Sequence, residues 1–238
     1  MSGHKERFRD PAAAEAGGYV LAVAGLLVAF GLAFHPLPAG GLAEKPSVLA
    51  GTPLWGAVHV AIAAGFVLCA LGGLLFLVAG GRAGGWLAPL CWGAIAVGMV
   101  FFTGVALINA WVMHALAPLA ARGEETLLFD AFNRLLVGYG WLGNPLFLAG
   151  LTGVAGLEVR QSPPGLPRWW AWLGLAFALL SWLRGVGSAT GLYFLEPFVL
   201  ANIPAFLWLG AQGLRLGRLA RRQGSAAGWD VGPSATGR

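Results

Sequence analysis

Long apolar stretches, each close to the length that crosses a lipid bilayer, dominate this sequence. They run over residues 17–37, 54–80, 86–117, 127–156, 168–193 and 197–216. A transmembrane helix needs about 20 mostly apolar residues, because the hydrocarbon core of a bilayer is about 30 Å thick. Charged side chains make up only 11% of the chain, where a soluble domain has about 25%. We therefore expect an all-α, polytopic membrane protein that folds as a bundle of six transmembrane helices.

The lysines and arginines predict the orientation of this bundle. If the N-terminus is cytoplasmic, the cytoplasmic side holds Lys5, Arg7, Arg9, Arg82, Arg160, Arg168, Arg215, Arg218, Arg221, Arg222 and Arg238. The outer loops hold only Lys45 and Arg122. Cytoplasmic loops of membrane proteins carry such an excess of positive charge. The sequence thus predicts an N-in/C-in protein of a bacterial-type inner membrane, and its net charge of +5 requires no nucleic-acid partner.

The polar ends of the chain and its prolines add three expectations. Residues 1–16 are expected to form a cytoplasmic tail, residues 17–222 the six-helix transmembrane domain, and residues 223–238 a disordered, Gly/Ser/Ala-rich tail. Gly143-Asn144-Pro145 should kink or break the fourth span. Pro204 should loosen the sixth span for the same reason.

Three of the four histidines are expected near the outer end of the bundle. His35 ends the first span, His59 lies near the outer start of the second, and His114 lies near the outer end of the third. Imidazole is the commonest metal ligand and also binds haem iron. Histidines from three helices at one depth therefore predict a site for haem b or for a transition metal such as Cu, Zn or Fe. For haem, His59 and His114 are the best-placed axial pair, because both lie within helices.

Other roles for these histidines stay open at this point. A histidine at a membrane interface can reach water with its polar edge. His35 would then cap the first helix, and His59 would bond to the loop over residues 38–53. A proton-sensing role is a third alternative. No short metal-binding motif accompanies the histidines, so their common depth is the whole basis of the metal hypothesis.

Polar residues in the outer half of the bundle predict a second feature. Asp130 and Arg134 are four residues apart and can pair on one helix face. Arg184 lies at a similar depth in the fifth span, and Asn109 lies in the third. Charged side chains inside a membrane normally face the protein interior or a wet cavity. These four residues therefore predict a cofactor-binding pocket, in which an arginine binds a lipid phosphate, a quinone carbonyl or a haem propionate. A structural ion-pair network is the alternative.

Three functions fit these features. The first is a membrane subunit that carries haem or a metal and exchanges electrons with a quinone or a periplasmic carrier. The second is a non-catalytic accessory subunit that packs against other membrane subunits. The third is a transporter of small solutes or lipids. The sequence contains no Walker A motif, no GxSxG and no GxGxxG that follows a strand, so whether the chain is an enzyme stays open. The lipid bilayer is the partner common to all three.

Overall fold

The computed structural model describes residues 8–35, 45–80, 85–161, 167–190 and 193–228, and within these ranges the chain forms helices and no strands. The α-helices are α1 (Pro11–Ala33), α2 (Lys45–Ala50), α3 (Trp55–Ala79), α4 (Leu87–Leu107), α5 (His114–Ala121), α6 (Thr126–Gln161), α7 (Arg168–Thr190) and α8 (Asn202–Gly228). A π-helical segment, Ile108–Met113, joins α4 to α5 without a break. A 3₁₀ helix, Tyr193–Ala201, leads into α8.

Within the described ranges, five helical segments are long and apolar enough to cross a membrane. They are Pro11–Ala33, Trp55–Ala79, Leu87–Ala121, Thr126–Arg160 and Arg168–Val186. Many large apolar side chains on these helices are exposed, among them Leu26, Val78 and Val100. A soluble monomer rarely exposes so much apolar surface, because water disfavours it. The expectation of an all-helical, multi-pass membrane protein is confirmed.

The first and last helices pack against each other through glycines. A Cβ atom added to Gly18 would lie 2.5 Å from the carbonyl oxygen of Gly213, and one added to Gly25 would lie 2.5 Å from that of Phe206. Residue numbers rise along α1 as they fall along α8, so the two helices are antiparallel. Small residues allow helix backbones to approach this closely in membranes.

Helix α6 runs unbroken through Pro145, so the span does not break at residues 143–145, and the alternative, a kink, stays a prediction. Proline removes one backbone hydrogen bond, but packing against α4 offsets that loss. A Cβ at Gly98 would lie 2.7 Å from the backbone nitrogen of Phe147, and one at Gly150 would lie 2.6 Å from the carbonyl oxygen of Cys91. The same Cβ at Gly98 would lie 2.9 Å from the carbonyl oxygen of Gly143, so residues on both sides of Pro145 pack against α4.

The ends of the helical region also differ from expectation. α1 begins at Pro11, inside the expected tail of residues 1–16, because the Asp10 carboxylate accepts a hydrogen bond from the Ala13 amide at 3.0 Å and caps the helix. α8 continues to Gly228, beyond the expected boundary at residue 222. Pro204 lies in the first turn of α8, where proline is tolerated, so it does not loosen the helix. Residues 1–7 and 229–238 lie outside the described ranges.

Two apolar clusters form the interior. The larger runs along the bundle and includes Phe66, Phe147 and Phe206, with ring centroids of the last two 4.9 Å apart. The smaller lies at the end where α3 begins and includes Leu49, Trp55 and Met113. The polar side chains of the candidate functional site lie around this smaller cluster.

Candidate functional site

Two histidines from different helices contact each other at one end of the bundle. His35, just after α1, and His59, in the second turn of α3, place their Nε2 atoms 3.2 Å apart. The Nδ1 atom of His59 lies 2.9 Å from the carbonyl oxygen of Trp55. A carbonyl oxygen can only accept, so Nδ1 of His59 carries the hydrogen and its Nε2 holds a lone pair. His35 then donates from its own Nε2 to that lone pair. We call His35 and His59 the histidine pair.

Trp55 fixes the position of the histidine pair. Its ring centroid lies 4.3 Å from that of His59 and 5.0 Å from that of His35. Its indole Nε1 donates to the carbonyl oxygen of Asn109 at 3.1 Å, which ties the start of α3 to the π-helical segment. Trp55 and His59 are both buried. The pair is therefore held by packing and by a directed hydrogen bond.

A proline follows the π-helical segment closely in the sequence. Pro118 lies four residues after His114, so it offers no N–H to the carbonyl of His114, and its ring crowds that oxygen. The helix widens in the preceding turn, at residues 108–113. Such π turns occur inside α-helices frequently at functional sites. Here the turn carries the Asn109 carbonyl that accepts the Trp55 indole.

His114 lies beside the pair without joining it. A Cβ at Gly56 would be 3.6 Å from Cδ2 of His114, so this ring packs against the first turn of α3. It is close enough to His59 for the two charges to interact. The Nδ1 atom of His114 is buried and has no hydrogen-bond partner among the described residues. A buried nitrogen without a partner is uncommon and costs free energy.

Lys45 also belongs to this region. From the sequence, it is expected only to lie in an outer loop. It begins the short helix α2, and its Nζ donates to Oδ1 of Asn133 at 2.5 Å. Burial lowers the pKa of Lys45, because the ammonium group loses water. Its charge also lies within reach of the His59 ring. The region thus combines two contacting imidazoles with one nearby cation.

The four expected cofactor-binding residues differ in their exposure. Asp130 and Arg134 are exposed, and no ion pair joins them in the described part of the chain. They do not face the packed interior, where the buried polar side chain on this part of α6 is Asn133, and the expected pocket stays a prediction. Asn109 is buried, and its side chain donates to the Val105 carbonyl at 3.1 Å. Arg184 is half-buried on α7.

A buried polar network at the opposite end of the bundle was missed by sequence reasoning. Arg215 of α8 donates to the carboxylate of Glu158 at 2.5 Å and to Oε1 of Gln212 at 3.2 Å. The same Gln212 oxygen accepts from the Trp170 indole at 3.1 Å. Glu158 is only 2% exposed. The network joins α6, α7 and α8.

Metal chemistry at the histidine end depends on two protein ligands. Among the described residues, no three His, Cys, Asp or Glu side chains lie close enough to hold one metal ion together. Two imidazole nitrogens on a tetrahedral metal at about 2.0–2.1 Å are separated by about 3.3 Å. The 3.2 Å between the two Nε2 atoms is close to that value. The pair can therefore supply two ligands to an ion, and the described residues add no third.

No family model, curated protein or solved structure matches this chain. Its function is therefore inferred from its own side chains.

Proposed function

We propose that the chain crosses a bacterial-type inner membrane six times, with both termini in the cytoplasm. The antiparallel packing of α1 and α8 supports α8, together with the 3₁₀ helix before it, as the sixth span. The Arg9 amide donates to the carbonyl of Ala79 at 2.9 Å, so the start of α1 and the end of α3 share one end of the bundle. Arg215 to Arg222 of α8 reach that same end. The positive-inside bias makes this end cytoplasmic.

Cysteine labelling in whole cells tests this topology. Cys69 and Cys91 are buried and free, so introduced cysteines will dominate the signal. We expect a membrane-impermeant maleimide to label Glu124→Cys, in the α5–α6 connection, and to leave Pro167→Cys and Ser225→Cys unlabelled until the cells are opened. Labelling of Ser225→Cys but not Pro167→Cys in intact cells would mean that α8 does not cross back.

We further propose that the histidine pair binds a transition-metal ion at the outer face. The observation that carries this proposal is the 3.2 Å separation of the two Nε2 atoms, together with the bond from His59 Nδ1 to a backbone carbonyl. Histidines that bind metals almost always donate their second ring nitrogen in this way, because it fixes the tautomer and the ring. Metal binding requires His35 to carry its hydrogen on Nδ1 and the two rings to turn, so that both Nε2 lone pairs converge on one ion.

A metal ion suits the pair better than haem. Two axial histidines lie on opposite sides of the iron, so their nitrogens would be about 4 Å apart, twice a metal–nitrogen distance of about 2.0 Å. The histidine pair is closer than that, and Trp55 packs against both rings. Copper or iron at this position would permit electron exchange with a quinone or an external carrier, as a subunit of a membrane electron-transfer system. Zinc would not, because it has no redox chemistry.

Cobalt(II) titration of the purified chain tests the metal site. The protein is purified without a histidine tag and with His4→Ala, so that no imidazole in the tail contributes. We expect one Co²⁺ per chain, and at least about 100-fold weaker binding in His35→Ala and in His59→Ala, since even the loss of a supporting hydrogen bond costs 10–100-fold. His114→Ala is the matched control, and it should leave the affinity unchanged.

A variant at Lys45 adds a second measurement to this experiment. Its ammonium group lies at the same end of the bundle as the histidine pair and repels a cation, so Lys45→Met should tighten Co²⁺ binding. Weaker binding in Lys45→Met, or no saturable Co²⁺ binding by the parent chain, would contradict a metal site. An equal loss in His114→Ala would show three ligands instead of a pair. A chain that binds no metal and co-purifies with other membrane subunits would fit the accessory role.

A further inference from the structure

Three arginines near the end of α8 line a cavity on the surface of the bundle. The cavity is a depression open to solvent, with space of about 350 Å³, and is lined by Arg218, Arg221, Arg222 and Ser225. These residues recur at intervals of three, four and seven, so they share one face of the helix. All four are exposed. We call them the arginine face.

The arginine face carries more positive charge than its surroundings neutralise. Arg221 lies 3.8 Å from a carboxylate oxygen of Glu15, and its side chain is 67% exposed. Arg218 and Arg222 have no carboxylate partner among the described residues. Guanidinium groups present planar, paired donors that match phosphate oxygens. The ligand chemistry that this face fits is therefore a phosphate group with uncompensated negative charge.

The position of the arginine face along the bundle points to the source of that phosphate. A Cβ at Gly217 would lie 3.1 Å from the carbonyl oxygen of Glu15, and one at Gly224 would lie 3.8 Å from Cβ of Pro11. The face thus lies beside the first turns of α1. α1 has 23 residues and is about 34 Å long at 1.5 Å per residue, slightly more than a hydrocarbon core of about 30 Å. Its first turns therefore lie at the level of the lipid headgroups.

We propose that the arginine face binds the phosphate of an anionic phospholipid headgroup. The lipid's acyl chains would lie along the apolar surface of the bundle, while the guanidinium groups hold the phosphate oxygens. Binding then depends on the arginine face and its cavity, and not on every basic residue near the membrane. It is independent of the histidine pair, which lies at the other end of α1.

Lipid retention by the full-length chain tests the proposal. The chain is held in detergent micelles at fixed ionic strength, phosphatidylglycerol is added, and bound lipids are counted by mass spectrometry of the intact complex. The double variant Arg218→Gln/Arg222→Gln should bind phosphatidylglycerol about 25-fold more weakly, about fivefold for each arginine. The matched control Arg160→Gln/Arg168→Gln removes the same charge from exposed positions on α6 and α7, and its affinity should stay within about twofold of the parent.

Two further probes separate the possible sources of phosphate. Phosphatidylcholine carries the same phosphate with a compensating cation, so it should bind weakly and should not respond to the double variant. Inorganic phosphate should fail to displace phosphatidylglycerol at equal concentration. Displacement by inorganic phosphate would overturn the headgroup assignment, and an equal loss in the control variant would show diffuse charge instead of a site. Arg222→Gln alone, expected to bind about fivefold more weakly, repeats the test if the double variant does not fold.

Discussion

An alanine at Gly25 will destabilise the protein by about 1–3 kcal/mol, although the same change on an open helix surface has the opposite effect. The added Cβ would lie 2.5 Å from the carbonyl oxygen of Phe206 and 3.3 Å from Cα of Gly210. Both atoms belong to the backbone of α8, so no side-chain rotation can make room, and α1 must move away from α8. Overpacking of an interior costs this amount. Unfolding by titration with dodecyl sulfate measures the change in free energy.

The matched control for Gly25→Ala is Gly138→Ala on α6, where an added Cβ meets no atom within 4 Å. Alanine has the higher helix propensity, so this control should be neutral or more stable by up to about 1 kcal/mol. The opposite signs of the two variants are the informative result. Equal stabilities would contradict the close approach of α1 and α8.

The second large effect is expected at the buried ion pair. Arg215→Met will destabilise the fold by about 3–5 kcal/mol, because it removes the cation of a buried ion pair and keeps the Glu158 carboxylate in place. Glu158 is 2% exposed and Arg215 is 17% exposed, so solvent does little to relieve that charge. Arg160→Met, which removes an exposed arginine from the same end of α6, should change the unfolding free energy by less than about 0.5 kcal/mol.

A double replacement separates the ion pair from the packing of its side chains. Glu158→Leu combined with Arg215→Met removes both charges, so it should recover most of the stability lost in Arg215→Met. The same dodecyl sulfate titration gives both values. A double variant as unstable as Arg215→Met would mean that Arg215 stabilises the fold through its stem and through Gln212, and not through Glu158.

The sequence predicts the depth of a residue in this fold better than the direction in which its side chain points. The length of the spans places His35 and His59 near one end, and the structure brings these two rings into contact. Their contact also depends on Trp55, which packs against both rings. The position of Trp55 in the sequence indicates only that it lies near the outer end of a span. Whether the pair binds a metal stays a prediction.

The rotation of α6 about its own axis explains why Asp130 and Arg134 are exposed, although charged residues within a span are expected to face the interior. Phe129, Asn133 and Leu136 are buried, and they recur at intervals of four and three along one face. Asp130 and Arg134 each follow one residue later, about 100° around the helix. The spacing of Phe129 and Leu136 was a usable signal that Asn133 is the inward polar side chain.

The ion pair of Glu158 and Arg215 is missed by counting charges, because a count does not say which side chains meet. The positive-inside rule assigns Arg215 to the cytoplasmic side and leaves Glu158 without a role. Their contact depends on how α6 and α8 pack, which no local pattern in either helix specifies.

The proximity of α1 and α8 has a consequence for synthesis on the ribosome. The glycines of α1 that face α8 have no partner until residues 202–228 have been made. At about 5–20 residues per second, α1 waits on the order of ten seconds or more for its neighbour. Helix α8 must therefore insert beside α1 after the helices between them in the chain have been made. In a chain truncated before Asn202, the glycines of α1 that face α8 would stay uncovered. Another newly made helix in the membrane could then pack against them.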